Sequence, residues 1–150
     1  MTAQENAGAS VVLHATCVAA GDRGLLILGR SGAGKSALAL NLIALGAALV
    51  SDDRVRVTAL DGTLQATCPS PAGQGLIEAR GFGLLRLAFQ PAARLILALD
   101  LDQPEPDRLP QPRQTSLLGV SLPLARRPRG DHLSHALWCH LQGAPRELGV

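Results

Sequence analysis

Tyrosine is absent from this 150-residue chain, and Phe82, Phe89 and Trp138 are its only aromatic residues, 2% of the sequence. So small a set lacks the interleaved stacking platforms that single-stranded nucleic acid uses. The core must instead be built from leucine, alanine, valine and isoleucine. A dominant charge is lacking too: fourteen lysines and arginines stand against twelve acidic residues, a formal net charge of +2. That is too mild for a phosphate-backbone footprint, and no nucleic-acid partner is expected. No apolar run approaches the ~20 residues of a membrane-spanning helix. The first residues show no basic-then-apolar leader pattern, so no membrane association is expected. Cysteine is scarce, odd in number and scattered, at Cys17, Cys68 and Cys139, which fits free thiols in a reducing cytoplasm. Lysine is scarcer still, with Lys35 alone beside thirteen arginines. That asymmetry marks a site where a compact ammonium is wanted and a forked guanidinium does not serve.

What is present reads as one globular domain over residues 1–150, with 47% apolar residues and a mean hydropathy of +0.19, large enough for a single core. Residues 1–9 are small and polar and are expected to fray. Residues 11–20 read as a strand, 21–24 as a turn and 25–28 as a short buried strand. A glycine-rich loop follows, then a helix over 35–45 stopped by Gly46. Further strands are expected at 48–51, 55–58, 76–80 and 95–101, with a hairpin turn at Asp61-Gly62. Residues 103–114 carry four prolines and are expected to form an exposed loop. Asp131 is placed to cap a last helix over 132–142. The pattern is α/β, with strands outnumbering helices.

Lys35 lies in the run GRSGAGKS, which fits G-x-x-x-x-G-K-[ST], the loop that wraps the phosphates of a nucleoside triphosphate. The eight residues Gly29, Arg30, Ser31, Gly32, Ala33, Gly34, Lys35 and Ser36 follow a strand and open a helix, the context such a loop requires. Its glycines let backbone N–H groups face phosphate oxygens, and the helix N-terminus adds partial positive charge. Lys35 is placed to reach the β- and γ-phosphates, and the Ser36 hydroxyl to ligate Mg²⁺. Asp52-Asp53 ends the next strand, where a carboxylate faces the γ-phosphate as metal holder or proton acceptor, or else serves a simple turn. Asp100, at the end of another apolar strand, is a rival metal ligand. Glu78 opens the run Glu78-Ala79-Arg80-Gly81-Phe82-Gly83, either a metal ligand with a pliable backbone behind it or an ordinary turn. On residue type alone, His14 is more readily a strand histidine than a catalyst. His132, His135 and Cys139 share one helical face but lack a placed fourth zinc ligand. Arg126-Arg127-Pro128-Arg129-Gly130 is a basic loop, either a dock for an acidic partner or a solvated turn. Arg108 sits where an arginine can swing onto transferring phosphate, though spacing alone does not decide it.

Taken together, His14, the GRSGAGKS loop, Asp52-Asp53-Arg54 and the run from Glu78 to Gly83 resemble, in that order, the catalytic domain of the bacterial HPr kinase/phosphorylase family. Asp107-Arg108-Leu109 is similar to a later loop of that family, and residues 122–131 to a shortened form of its basic loop. The resemblance implies a PEP carboxykinase-like, P-loop-containing mixed sheet with few flanking helices. It implies ATP-dependent phosphorylation of a serine of the phosphocarrier protein HPr in the cytoplasm, with Mg²⁺. It also implies reverse phosphorolysis, in which inorganic phosphate is the acceptor and pyrophosphate is released. Gly29 to Ser36 would hold the nucleotide, and Lys35 the transferring group. Ser36 and Glu78 would hold the metal. Asp53 would be base and acid, with Asp52 orienting it, and His14 and Arg108 would complete the charged shell. Members are commonly hexamers, so self-association is expected. Three departures stand out. The family's N-terminal domain is expected to have no counterpart ahead of His14, Arg30 replaces a frequent acidic residue, and the later loops are trimmed. Two other functions fit the loop: a small-metabolite phosphotransferase, and a nucleotide sensor without turnover.

Overall fold

Short apolar runs broken by glycine turns pair into sheet wherever they are long enough to bury one face. A computed structural model describes residues 8–149. The chain runs β1 (Ser10–Leu13), β2 (Thr16–Ala20), β3 (Arg23–Leu28), α1 (Lys35–Leu45), β4 (Ala48–Ser51), β5 (Val55–Leu60) and β6 (Thr63–Thr67). It continues through a 3₁₀ turn (Pro71–Gly73), β7 (Leu76–Ala79), β8 (Gly83–Arg86), β9 (Ala92–Pro104), β10 (Gln114–Leu117), β11 (Val120–Arg127) and α2 (Leu133–Leu141). The expected helix and the strand after it are found at their expected bounds. Gly46 ends α1 with φ 128, and its N–H and that of Ala47 both return to the Leu42 carbonyl, at 3.1 and 3.0 Å, the close expected of a glycine stop.

Nine strands form one curled sheet in the order β1-β5-β6-β9-β3-β2-β4, with β11 joining β9 and β10 joining β11. β9 runs parallel to β3 and to β11, and the other pairs are antiparallel. β3 and β4 each lie antiparallel to β2, so the two run in the same direction and end on the same edge. Alternate residues of the central strands feed two cores. Leu25, Ile27, Leu97 and Leu99 pack with Leu38, Leu42, Leu137 and Leu141 of the two helices. Leu26, Ala98, Val50, Val57 and Leu64 pack under the curl of the sheet itself. Cys17 lies in that second core, and burial pushes its thiol up to about 12, so it is an inert packing residue. The 48–51 strand thus lies near the strand preceding the Gly-rich loop, one strand removed, as a crossover through α1 requires.

Several expectations are corrected. The strand expected over 11–20 is two strands, because the chain breaks at His14 and Ala15 and re-pairs with a different partner. The frayed N-terminus falls mostly on residues 1–7, outside the described residues; Ala9 itself is held, its carbonyl accepting the Ala59 N–H at 3.0 Å. The proline-rich loop starts later than expected, since β9 runs through Pro104. Proline is tolerated there because pairing with β11 has become irregular by that point. The basic segment expected as a loop begins inside the strand β11, which ends at Arg127; Pro128, Arg129 and Gly130 follow it outside any strand. Among the described residues no three His, Cys, Asp or Glu side chains gather as a metal group, which removes the zinc arrangement on α2. No described helix is long and apolar enough to cross a membrane.

Candidate active site

The ends of β3 and β4, the β1–β2 break and β7 open onto one cleft of about 970 Å³. The Gly-rich loop forms its floor. Gly32 and Gly34 carry φ of 84 and 103, conformations that side-chain-bearing residues rarely adopt. Lys35 is buried, its ammonium donating to the carbonyls of Gly29 at 2.6 Å and Arg30 at 3.0 Å. Not all eight loop residues face the cleft. The Arg30 N–H is taken by the Asp102 carboxylate at 2.8 Å, and the Arg30 guanidinium, 4.0 Å from Asp102, is 84% exposed. Arg30 therefore faces away from any phosphate in this arrangement.

Asp52 and Asp53, adjacent in sequence, have separate partners. The Asp52 carboxylate accepts the Ser36 hydroxyl, at 2.9 and 3.1 Å to its two oxygens, and the Thr16 hydroxyl at 2.8 Å. Thr16 is wholly buried, so this contact fixes the carboxylate against β2. Asp53 turns the other way. Its φ is 67, and its carboxylate lies 2.9 Å from His14 Nε2. Its carbonyl accepts the Ala15 N–H at 3.2 Å, which ties the aspartate to the β1–β2 break. Both partners of this pair are largely exposed, 54% for His14 and 72% for Asp53. They are open to an incoming group, and their mutual attraction is screened. The side chains in contact are thus Asp52 with Ser36 and Thr16, and Asp53 with His14.

Glu78 is exposed on β7 and lines the same cleft. Arg108 lies in the exposed segment after β9 and is not among the cleft-lining residues. Asp100, the rival metal ligand, instead accepts the Asp102 N–H at 2.9 Å and does not line the cleft. Two contributors escaped the sequence reading. Thr16 looks like one more buried strand residue. Arg127 belongs to a basic run that reads as a surface loop, yet its guanidinium donates to the Ala33 carbonyl at 2.6 Å and the Leu101 carbonyl at 3.1 Å. It thereby ties the Gly-rich loop to β9.

The oxygen set suits Mg²⁺, a hard cation that takes one or two carboxylates and keeps several waters. Ser36 and Asp52 present a hydroxyl and a carboxylate already in contact, with Glu78 as a second carboxylate on the same cleft. A loop of backbone amides, a lysine, a hydroxyl-carboxylate pair and a separate aspartate-histidine pair is equipped for phosphoryl transfer. The HPr Serine kinase C-terminal domain matches residues 5–98. The chain belongs to that family. An HPr kinase/phosphorylase of Azoarcus sp. (strain BH72) is 42% identical over 119 residues, covering 70% of this chain and 38% of that protein. One from Aromatoleum aromaticum is 40% identical over 111 residues, 65% of this chain and 35% of that protein. The chain thus spans little more than a third of these relatives. The solved structure of the Hpr(Ser) kinase/phosphatase from Coxiella burnetii superposes with a TM-score of 0.73 at 25% identity, covering 88% of this chain and 94% of that one.

Proposed function

We propose that this domain transfers the terminal phosphoryl group of ATP to a serine hydroxyl of an HPr-type phosphocarrier protein. We propose also that it returns the group to inorganic phosphate, releasing pyrophosphate. The observation that carries the reading is the separation of the two aspartates, one on Ser36 and one on His14. Transfer to a hydroxyl needs two distinct carboxylate tasks, holding the metal side and receiving a proton, and a single shared carboxylate does neither well.

In the forward direction the serine oxygen forms its bond to phosphorus as the bond to ADP breaks. Asp53 takes the hydroxyl proton, and His14 holds the carboxylate toward it. Lys35 leaves the Gly29 and Arg30 carbonyls for the phosphate oxygens and balances their charge. Amides at the α1 N-terminus orient the same oxygens. Ser36, held by Asp52, and Glu78 are the residues that would bind Mg²⁺, which neutralises the phosphates and keeps them in line. In reverse, Asp53 returns the proton to the departing serine oxygen. Arg108 enters this scheme only if its segment moves over the cleft. The same reading carries a cytoplasmic location and self-association of the chain.

The test is incubation with labelled ATP, Mg²⁺ and purified HPr, followed by a phosphate chase. We expect label on an HPr serine and then in pyrophosphate. Label only on small molecules would favour a metabolite phosphotransferase, and ATP binding without transfer a nucleotide sensor. Asp53→Asn is expected to keep ATP affinity within about twofold while transfer falls by roughly 10²–10⁴-fold, the usual worth of a positioned base. Unchanged transfer in that variant removes Asp53 as the base.

A further inference from the structure

A chain with two phenylalanines displays one of them almost completely: Phe82 is 82% exposed, and Leu84 beside it is 70% exposed. Both belong to the β7–β8 ribbon, which pairs only with itself in a separate two-stranded sheet. Its register sets Ile77 opposite Leu85, and Glu78 opposite Leu84. Directly opposed residues share a face. Ile77 and Leu85 pack into the helical core, which turns the face bearing Glu78 and Leu84 to the cleft they both line. Phe82 stands at the ribbon's tip, where its N–H closes a turn onto the Ala79 carbonyl at 2.8 Å and Gly81 takes φ 81. Arg80 and Arg86 flank the apolar pair and are exposed. Arg54 and Arg56 line the cleft below.

A group this apolar, standing in water at the mouth of a reaction cleft, marks an interaction surface. A small substrate would enter without touching it. A macromolecular hydroxyl cannot, because the body of its protein must rest on the rim while the side chain reaches Asp53. Resting on the function proposed above, we infer that the Phe82–Leu84 lip docks the protein acceptor, through a segment bearing an apolar side chain next to its serine and acidic groups around it. The aromatic ring is the anchor and the arginines select the acidic surface, which is how exposed anchors and rim charges divide affinity and specificity.

The experiment measures transfer from ATP to purified HPr as a function of HPr concentration, with ATP affinity and oligomeric mass recorded in parallel. Phe82→Ser is expected to raise the half-saturating HPr concentration about tenfold or more, with kcat and ATP Kd within twofold. Arg86→Glu is expected to raise it several-fold at low salt and less at high salt. Unchanged half-saturation in both variants overturns the inference. So does a loss of ATP affinity in Phe82→Ser, which would make the ring part of the nucleotide wall. A fall in oligomeric mass without a change in half-saturation overturns it in favour of a second copy of this chain as the occupant. A wild-type chain that binds ATP but never labels HPr defeats the proposed function itself, and this inference with it.

Discussion

Asp53 holds a left-handed backbone, φ 67, without being a glycine. Asparagine and aspartate tolerate that region better than most residues, but it still costs on the order of 1 kcal/mol. That conformation accompanies the turn that brings the Asp53 carbonyl to the Ala15 N–H and its carboxylate to His14, while the Asp52 carboxylate stays on Ser36. Arg127 acts at a different point. By gripping the Ala33 and Leu101 carbonyls, it holds the loop's last peptide units in place before any phosphate arrives, and it is therefore a positioning residue. Arg127→Ala is expected to weaken ATP binding about fivefold, the worth of roughly 1 kcal/mol for an exposed charge-assisted bond. The transfer rate at saturating ATP should change less than twofold. Arg127→Lys should recover only part of the affinity, because one ammonium lacks the fork that spans two carbonyls. Titration calorimetry with ATP reads both variants. Equal affinities in all three proteins would make Arg127 a packing residue only.

At the scale of elements, β9 is the longest strand, Ala92–Pro104, and its far end carries a buried glutamate. Glu105 is 7% exposed. Its carboxylate meets Arg113 at 3.2 Å, and its N–H donates to the Arg127 carbonyl at 2.7 Å, so β9, β11 and the following segment are fastened at one point. The hydrogen bond from Arg113 holds the Glu105 carboxyl below its usual range. A lowered folded value means that the unfolded chain takes up the proton first on acidification. The stabilisation is therefore complete above the unfolded value of about 4.3 and is lost as pH falls through the lower folded value. Glu105→Gln should reduce stability at pH 7 by about 1–3 kcal/mol, and the difference from wild type should narrow below about pH 4. Denaturant melts at pH 7 and pH 3.5 check this; a constant difference would place the effect in packing. This region was also where the sequence was hardest to read. Helix 35–45 and strand 48–51 were legible because a glycine-rich start, an apolar run and Gly46 are strong local signals. β11 was not, because its pairing with β9 is a non-local contact and Pro123 argues locally against a strand, and without β11 its hairpin partner β10 has nothing to pair with. The structure tolerates that proline because it is the Leu124 N–H that bonds to the β10 side, at 2.9 Å to the Arg113 carbonyl, so the Pro123 nitrogen lies on the other side, where pairing with β9 starts only at Leu124. The Gly-rich loop, the aspartate pair, Glu78 and His14 were legible as chemistry. Thr16 and Arg127 were not, since their roles depend on which atoms lie across from them.

At the scale of the whole molecule, the site is assembled from parts with no local connection. The loop leaves β3, the aspartates leave β4, His14 occupies the β1–β2 break and Glu78 comes from β7. These elements meet only once the sheet has curled and the two cores are closed. A ligand that needs all of them binds the native state and not the unfolded chain, so its binding energy should appear as global stability. At ATP and Mg²⁺ a hundredfold above Kd the gain is about 2.7 kcal/mol, which for a domain of this size corresponds to a rise of roughly 5–10 °C in Tm. Lys35→Ala should melt within a few degrees of wild type without nucleotide, because it removes a buried ammonium along with its two backbone contacts, and it should show almost no rise when ATP is added. Scanning calorimetry of both proteins with and without Mg-ATP separates these outcomes. A wild-type Tm unmoved at millimolar Mg-ATP would show that the loop does not take up the nucleotide. An equal rise in Lys35→Ala would show that phosphate is held by backbone amides alone. Only a rise in the wild type that is lost with the ammonium ties the single lysine to the bound phosphate.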